Sequence, residues 1–197
     1  MSAFLYFYLI NDQTPDTELI ASFKANNQRD GVFAIIVKKY QKRLYWHIRK
    51  ILLDHDDTDD VLQNTFIKAW KALDNFKEES QLFTWLYRIA TNEALGFLRQ
   101  KNRVSIESIH PIENQLSKNL ESDPYFTGDA LQLKLQQAIL TLPTKQRLVF
   151  NMRYYDEMPY EQMSQVLETS VGALKSSFHI AAKKVEEHLK EHLNLSR

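Results

Sequence analysis

The stretch Pro159-Tyr160-Glu161-Gln162-Met163-Ser164-Gln165-Val166-Leu167, the break Glu168-Thr169-Ser170, and then Val171-Gly172-Ala173-Leu174-Lys175-Ser176-Ser177-Phe178-His179 decide the fold of this chain. A short amphipathic helix, a tight turn and a longer helix are the ingredients of a helix-turn-helix. At about 100° per residue, the second helix puts Val171, Leu174, Phe178, Ala181 and Val185 on one face. Gly172, Ser176, His179 and Lys183 fall opposite, flanked by Lys175. Small residues near a helix N-terminus let its backbone approach a groove, and Lys, Ser and His donate to phosphates or base edges. The same face also suits a solvated helix on an ordinary bundle.

Working outward, helical blocks run from Leu131 to Leu142 and from Thr144 to about Tyr155, with breaks at Pro143 and Pro159. Before them, residues 104–130 lack an apolar period, contain Pro111, Pro124 and Gly128, and set Lys118 against Glu107, Glu113, Glu121, Asp123 and Asp129. That composition reads as a flexible acidic linker.

The N-terminal half is helical again. Thr14-Pro15 signals the start of a short helix through Glu18, Leu19, Ile20 and Phe23. A second helix is expected after Asp30-Gly31, with Phe33, Ile36, Val37, Tyr40, Leu44, Ile48, Ile51 and Leu52 at helical spacing. The acidic run Asp54–Asp60 ends it and starts a third helix, since carboxylates complement a helix N-terminus. This third helix, ending near Leu73, projects Leu62, Phe66, Ala69 and Leu73 onto one face; Asp60, Gln63, Asn64, Lys71 and Ile67 lie opposite, with Trp70 at the border. An Ile and a Trp beside acidic and amide groups suit a partner helix, and equally a surface helix with scattered apolar residues. Asn75–Ser80 reads as a polar loop, with Ser80 as N-cap of a fourth helix through Trp85, Leu86, Ile89, Ala90, Leu95 and Leu98. Phe76, Phe83, Trp85 and Tyr87 interleave there with Lys77 and Arg88, and Arg99, Lys101 and Arg103 follow. Aromatics among cations can stack unpaired bases while the cations hold the backbone, although most of these rings also suit a core.

The 197 residues carry 25 Lys+Arg against 25 Asp+Glu, which on its face argues against a nucleic-acid binder. The 44% hydrophobic content excludes low-complexity disorder, and the absence of cysteine excludes a disulfide scaffold, a thiolate metal site and a cysteine nucleophile. The apolar start Met1–Ile10 stops at Asn11-Asp12, far short of the roughly 20 residues that span a bilayer, and lacks a basic n-region. No membrane insertion is expected, and the chain is expected to be cytoplasmic. The expected fold class is all-α: an N-terminal helical bundle and a C-terminal helix-turn-helix domain joined by a flexible acidic linker. The boundaries are an extension at 1–15, domains at 16–103 and 131–197, and the linker at 104–130.

DDVLQNTFIKAW (59–70), FTWLYRIATNEAL (83–95), LPTKQRLVF (142–150) and SVGALKSSFH (170–179), in this order, resemble the extracytoplasmic-function group of bacterial RNA polymerase sigma factors. The likeness covers about Asp16–Arg103 and Leu131–Leu189. It implies a non-enzymatic initiation subunit that binds core RNA polymerase, reads the minus-thirty-five element and melts the minus-ten element, with no cofactor, no metal and no catalytic residue. Asp60, Gln63, Asn64, Ile67 and Trp70 would then bind core polymerase. Asn75, Phe76, Lys77, Ser80, Phe83, Trp85, Arg88, Asn92 and Arg99 would take single-stranded minus-ten DNA. Val171, Gly172, Ala173, Lys175, Ser176, His179 and Lys183 would contact minus-thirty-five duplex. The implied partners are core polymerase, promoter DNA in duplex and single-stranded form, and an anti-sigma factor, with a monomer when free.

The chain departs from the family pattern in places. Ser177, Ile180 and Ala182 stand where arginines are usual, implying fewer phosphate contacts and a shallower salt dependence. Glu168-Thr169 replaces Gly and an apolar residue in the turn, so a positive φ at Glu168 would store about 1 kcal/mol of strain. Gly96 also replaces a side chain that is often polar. Two rival readings remain at this point: a dimeric helix-turn-helix regulator on a palindromic operator, and a metal phosphohydrolase built on His47, His55-Asp56 and a later Asp. The acidic run lacks the glycine and glutamate of an EF-hand.

Overall fold

A computed structural model describes residues 11–25, 28–105 and 130–192. The apolar first ten residues and positions 106–129 of the expected linker lie outside them. The described chain is all-α: α1 Asp16–Lys24, α2 Arg29–Leu52, α3 His55–Ala72, a 3-10 turn Leu73–Asn75, α4 Leu82–Ser105, α5 Ala130–Leu140, α6 Thr144–Tyr154, α7 Tyr160–Leu167 and α8 Val171–His192. Two compact units divide the chain after Phe97, within α4.

In the first unit α2 is the spine. Val32, Ile36, Tyr40, Leu44 and Ile48 recur every four residues and are all buried, which puts them along one ridge of the helix. Burying each side chain of this size stabilises by roughly 1.5–3 kcal/mol. α1 closes one side through Leu19, Ile20 and Phe23. Asp16 ties α1 to the ridge, accepting hydrogen bonds from the Tyr40 hydroxyl at 2.6–2.7 Å and from Lys39 Nζ at 2.8 Å. Burial, and then the Asp16 carboxylate, hold the Tyr40 phenol well above the usual tyrosine range. α4 crosses the other end. Thr91 Oγ1 donates to the Tyr87 carbonyl and lies 2.8 Å from His47 Nε2, so the buried imidazole has a hydrogen-bond partner inside the core. The His47 ring also lies 4.0 Å from that of Tyr87.

Helix ends follow the chemistry of their neighbours, with corrections to the sequence reading. Asp54 caps α3, its Oδ1 accepting from the Asp57 N–H at 3.0 Å, and Asp56 and Asp57 fill the first turn, as the acidic run implies. Pro15, and not Thr14, is the N-cap of α1; the Thr14 hydroxyl accepts from the Asn11 N–H instead. α2 starts at Arg29, before Asp30-Gly31, with Gln28 in a left-handed, non-helical conformation at its N-cap. Ser80 does not cap α4: the Trp85 N–H bonds the Gln81 carbonyl, and the Ser80 hydroxyl faces that same carbonyl at 3.4 Å.

The buried face of α3 is rotated from the expected one. Thr58, Val61, Thr65 and Ala69 are buried, whereas Leu62 and Phe66 are half-buried. Threonine enters this core because its hydroxyl is satisfied locally: Thr58 donates to the Asp54 carbonyl and Thr65 to the Val61 carbonyl. Hydrophobic periodicity alone misses such positions.

The second unit packs α8 against α5, α6 and α7 around Ala138, Ile139, Leu142, Phe150, Ala181 and Val185, with Phe178 stacked on Phe150 at 5.6 Å. The turn before α8 conforms to expectation: Glu168 takes φ 51° and ψ 41°. Ser170 caps α8, its hydroxyl accepting from the Ala173 N–H.

Two outcomes follow from this packing. Glu168→Gly removes the left-handed penalty and is expected to raise the thermal midpoint of the second unit by an amount equivalent to about 0.5–1 kcal/mol, read by calorimetry. The Tyr155 phenol is pushed up to about 12, by burial first and then by Tyr154, while Gln136 donates to it at 2.6 Å. The folded chain thus holds this proton more tightly than the unfolded chain, so its stabilising contribution is intact below about pH 10 and lost as pH rises through about 12. Denaturant midpoints across pH 9–12 should fall more steeply for wild type than for Tyr155→Phe.

Candidate nucleic-acid interface

On α3, Asp60, Gln63 and Asn64 are exposed and Ile67 is 45% exposed. Phe33, Gln63, Phe66, Ile67 and Trp70 line a shallow groove of about 370 Å³. Trp70 is half-buried rather than free: its ring meets Phe23 and Phe33 edge-on at 5.1 Å each, and the Arg29 guanidinium lies 5.5 Å from its centroid. The expected partner face is therefore an apolar floor with an exposed Ile67 rim and amide and acidic flanks.

The expected single-strand residues fall into two groups. Asn75 and Lys77 are exposed and Ser80 is half-exposed in the loop between α3 and α4. Trp85, Arg88, Asn92 and Arg99 are partly or fully exposed and lie within about 60° of arc along α4, one continuous face. Phe76 and Phe83, expected to stack bases, are placed in the core instead. The Phe76 ring packs against Trp85 at 4.9 Å. Phe83 is enclosed by Tyr40 and Tyr87, with the Arg43 guanidinium 3.9 Å over its ring. Interleaving of aromatics and cations does not distinguish rings packed under a helix from rings on its surface.

The loop itself is held by cations that sequence spacing does not reveal. Lys24 Nζ, at the end of α1, donates to the Phe76 carbonyl at 2.7 Å and to Glu78 Oε1 at 3.2 Å. Arg29 pairs with Asp74 at 2.5 Å while its guanidinium lies 4.1 Å over the Phe23 ring. These contacts join residues 45–54 positions apart, beyond the reach of any local pattern.

On α8 the two faces separate as expected. Leu174, Ala181 and Val185 are buried, Val171 is half-buried, and Gly172, Ala173, Lys175, Ser176, His179 and Lys183 are exposed. A Cβ added at Gly172 meets nothing within 4 Å, so the folded chain imposes no need for glycine there. Lys175 Nζ and the Arg153 guanidinium stand 5.7 and 5.3 Å from the Tyr160 ring, gathering two cations at the start of α7. Lys183 is shared with Glu187 at 3.9 Å, one turn along.

The histidines of the phosphohydrolase alternative are placed apart in role. His47 is buried on Thr91 and Tyr87, whereas exposed His55 meets the Tyr45 hydroxyl at 2.8 Å and Asp59 at 3.7 Å. No described helix is long and apolar enough to cross a membrane.

Comparison with known proteins fits this arrangement. The sigma-70 region 2 family matches residues 36–104, and sigma-70 region 4 matches residues 132–185. The RNA polymerase sigma-H factor of Pseudomonas aeruginosa is 30% identical over 185 residues, covering 90% of this chain and 95% of the relative. The ECF RNA polymerase sigma-E factor of Escherichia coli K12 is 27% identical over 188 residues, with the same coverage. Among solved structures, the sigma factor RpoE of Bartonella quintana, crystallised with the anti-sigma factor NepR, shares the fold at a TM-score of 0.64 and 24% identity, covering 80% of this chain and 96% of that one. With both regions matched in chain order and identity sustained along nearly the whole of a curated relative, this chain belongs to the extracytoplasmic-function group of bacterial RNA polymerase sigma factors.

Proposed function

We propose that this sigma factor directs promoter-specific initiation through three surfaces: the α3 groove for core polymerase, the loop and α4 face for unpaired minus-ten DNA, and the α8 face for minus-thirty-five duplex. The observation that carries the reading is the polarity of α8: every small or hydrogen-bonding residue assigned to DNA is exposed, while Leu174, Ala181 and Val185 are buried. An exposed helix with a bare Gly172 near its start suits backbone approach to a major groove. On α3, Ile67 and the Trp70 floor offer apolar anchoring to a partner helix, and Gln63 and Asn64 offer amide hydrogen bonds at its rim. In the loop reading, Trp85 offers a ring to a flipped base, and Arg88 and Arg99 hold phosphates. Phe76 and Phe83 serve by packing beneath that surface.

The two-grip arrangement accounts for the neutral net charge. Neither DNA surface carries enough cation density to hold DNA alone, so the chain waits as a monomer in the cytoplasm until polymerase positions both. An anti-sigma factor covering the α3 face would withhold the chain from polymerase by direct competition.

The test is transcription by core polymerase plus the full chain on promoters located by transcript-start mapping after overexpression. Specific start sites that depend on the chain are expected; their absence, or a symmetric dimer on a palindromic site, would favour the regulator reading. In the same assay, Ile67→Asp is expected to lower core affinity at least about ten-fold with little change in thermal midpoint. Gly172→Leu separates stability from recognition. The folded chain should be stabilised by about 0.5–1 kcal/mol through helix propensity. Binding of minus-thirty-five duplex by the holoenzyme should weaken, as read by fluorescence anisotropy.

A further inference from the structure

We propose that Lys24, on a helix outside the surfaces assigned to DNA, is a positioning residue for strand capture: its ammonium fixes the loop 75–80 in the shape that receives the unpaired promoter strand. The inference rests on the reading that this loop takes that strand. Three observations converge on it. Lys24 donates to the Phe76 main-chain carbonyl at 2.7 Å, a charge-assisted bond to the backbone of the loop itself and not merely a surface ion pair. The Phe76 ring then packs against the half-buried Trp85 at 4.9 Å, so fixing the Phe76 backbone also fixes a neighbour of that indole. Glu78, the second acceptor, sits at φ 61°, a left-handed conformation that a glutamate adopts at a cost and that the Lys24 contact at 3.2 Å holds in place.

Electrostatics point the same way. The segment 74–79 holds Asp74, Glu78 and Glu79 against a single cation, Lys77, a poor balance for a strand of phosphates. Lys24 and Arg29 pair with two of those carboxylates, Glu78 and Asp74, and Lys77 is exposed. A positioned, neutralised loop lowers the ordering cost of capturing a flexible single strand.

The experiment uses holoenzyme assembled from core polymerase and the full chain with two probes of a mapped promoter. One is a fork-junction DNA with a single-stranded non-template minus-ten segment, and the other is the minus-thirty-five duplex alone. Lys24→Gln is expected to weaken fork binding about five-fold while leaving core affinity and duplex binding unchanged, and Lys24→Arg to recover most of the loss. Fork binding within two-fold of wild type, or an equal loss on both probes, would overturn the proposal. Glu78→Gln, changed at an exposed side chain, leaves Lys24 on the Phe76 carbonyl and should cost less than Lys24→Gln; the reverse order would also overturn it. A wild-type holoenzyme that shows no preference for the fork over duplex would instead refute the reading of the loop.

Discussion

Burial of one ridge of α2, from Val32 through Ile36, Tyr40 and Leu44 to Ile48, is the interaction on which the first unit depends, because the three other helices are placed by what each lays against or beside it. α1 brings Leu19 and Phe23, and Asp16 anchors it to the Tyr40 hydroxyl. α4 brings Phe83 against Tyr40, and Thr91 against Nε2 of His47. α3 must then turn Thr58, Val61, Thr65 and Ala69 inward, which leaves Gln63 and Ile67 to solvent. The outward surface of α3 is thus a consequence of how its inward surface is satisfied, and the groove beside Trp70 is a by-product of the Phe23–Phe33–Trp70 cluster.

Much of this architecture is legible in the sequence. Helical period, proline breaks and the Asp54–Asp60 run place α3, α6, α7 and the start of α8 within a residue or two, since each signal is local. The burial pattern of α8 was readable because its inner face is purely apolar. The reading failed where polar groups are buried or apolar groups do not face the expected way. Two threonines satisfied by their own helix rotate the α3 face, and two phenylalanines among cations turn out to pack inward. Lys24 and Arg29 were invisible for a different reason: their partners are distant in sequence, and nothing local marks a lysine at the end of a short helix as a backbone donor.

The electrostatic design distributes its charge by segment. Carboxylates of the acidic run are consumed at the N-terminus of α3, and cations near the loop are consumed by its carboxylates. In the first two turns of α8 the exposed residues Gly172, Ala173, Ser176 and His179 accompany a single lysine, Lys175, so the recognition proposed there leans on shape and hydrogen bonding more than on bulk attraction to phosphate. Equal numbers of acidic and basic groups over the whole chain are thus compatible with the two DNA surfaces proposed above.

Left-handed residues occur at Gln28, Leu53, Glu78, Glu157 and Glu168, and among the described residues no glycine occupies such a position. Proteins of this size are only marginally stable, and a shift of about 1.4 kcal/mol changes the unfolded fraction ten-fold. Turn positions of this kind are therefore where single substitutions can reset how long the protein survives proteolysis, and hence its steady-state amount. At Gln28 and Leu53, which belong to none of the surfaces proposed for polymerase or DNA, abundance is tunable apart from promoter choice and polymerase affinity, so that amount and specificity are set on different parts of the chain.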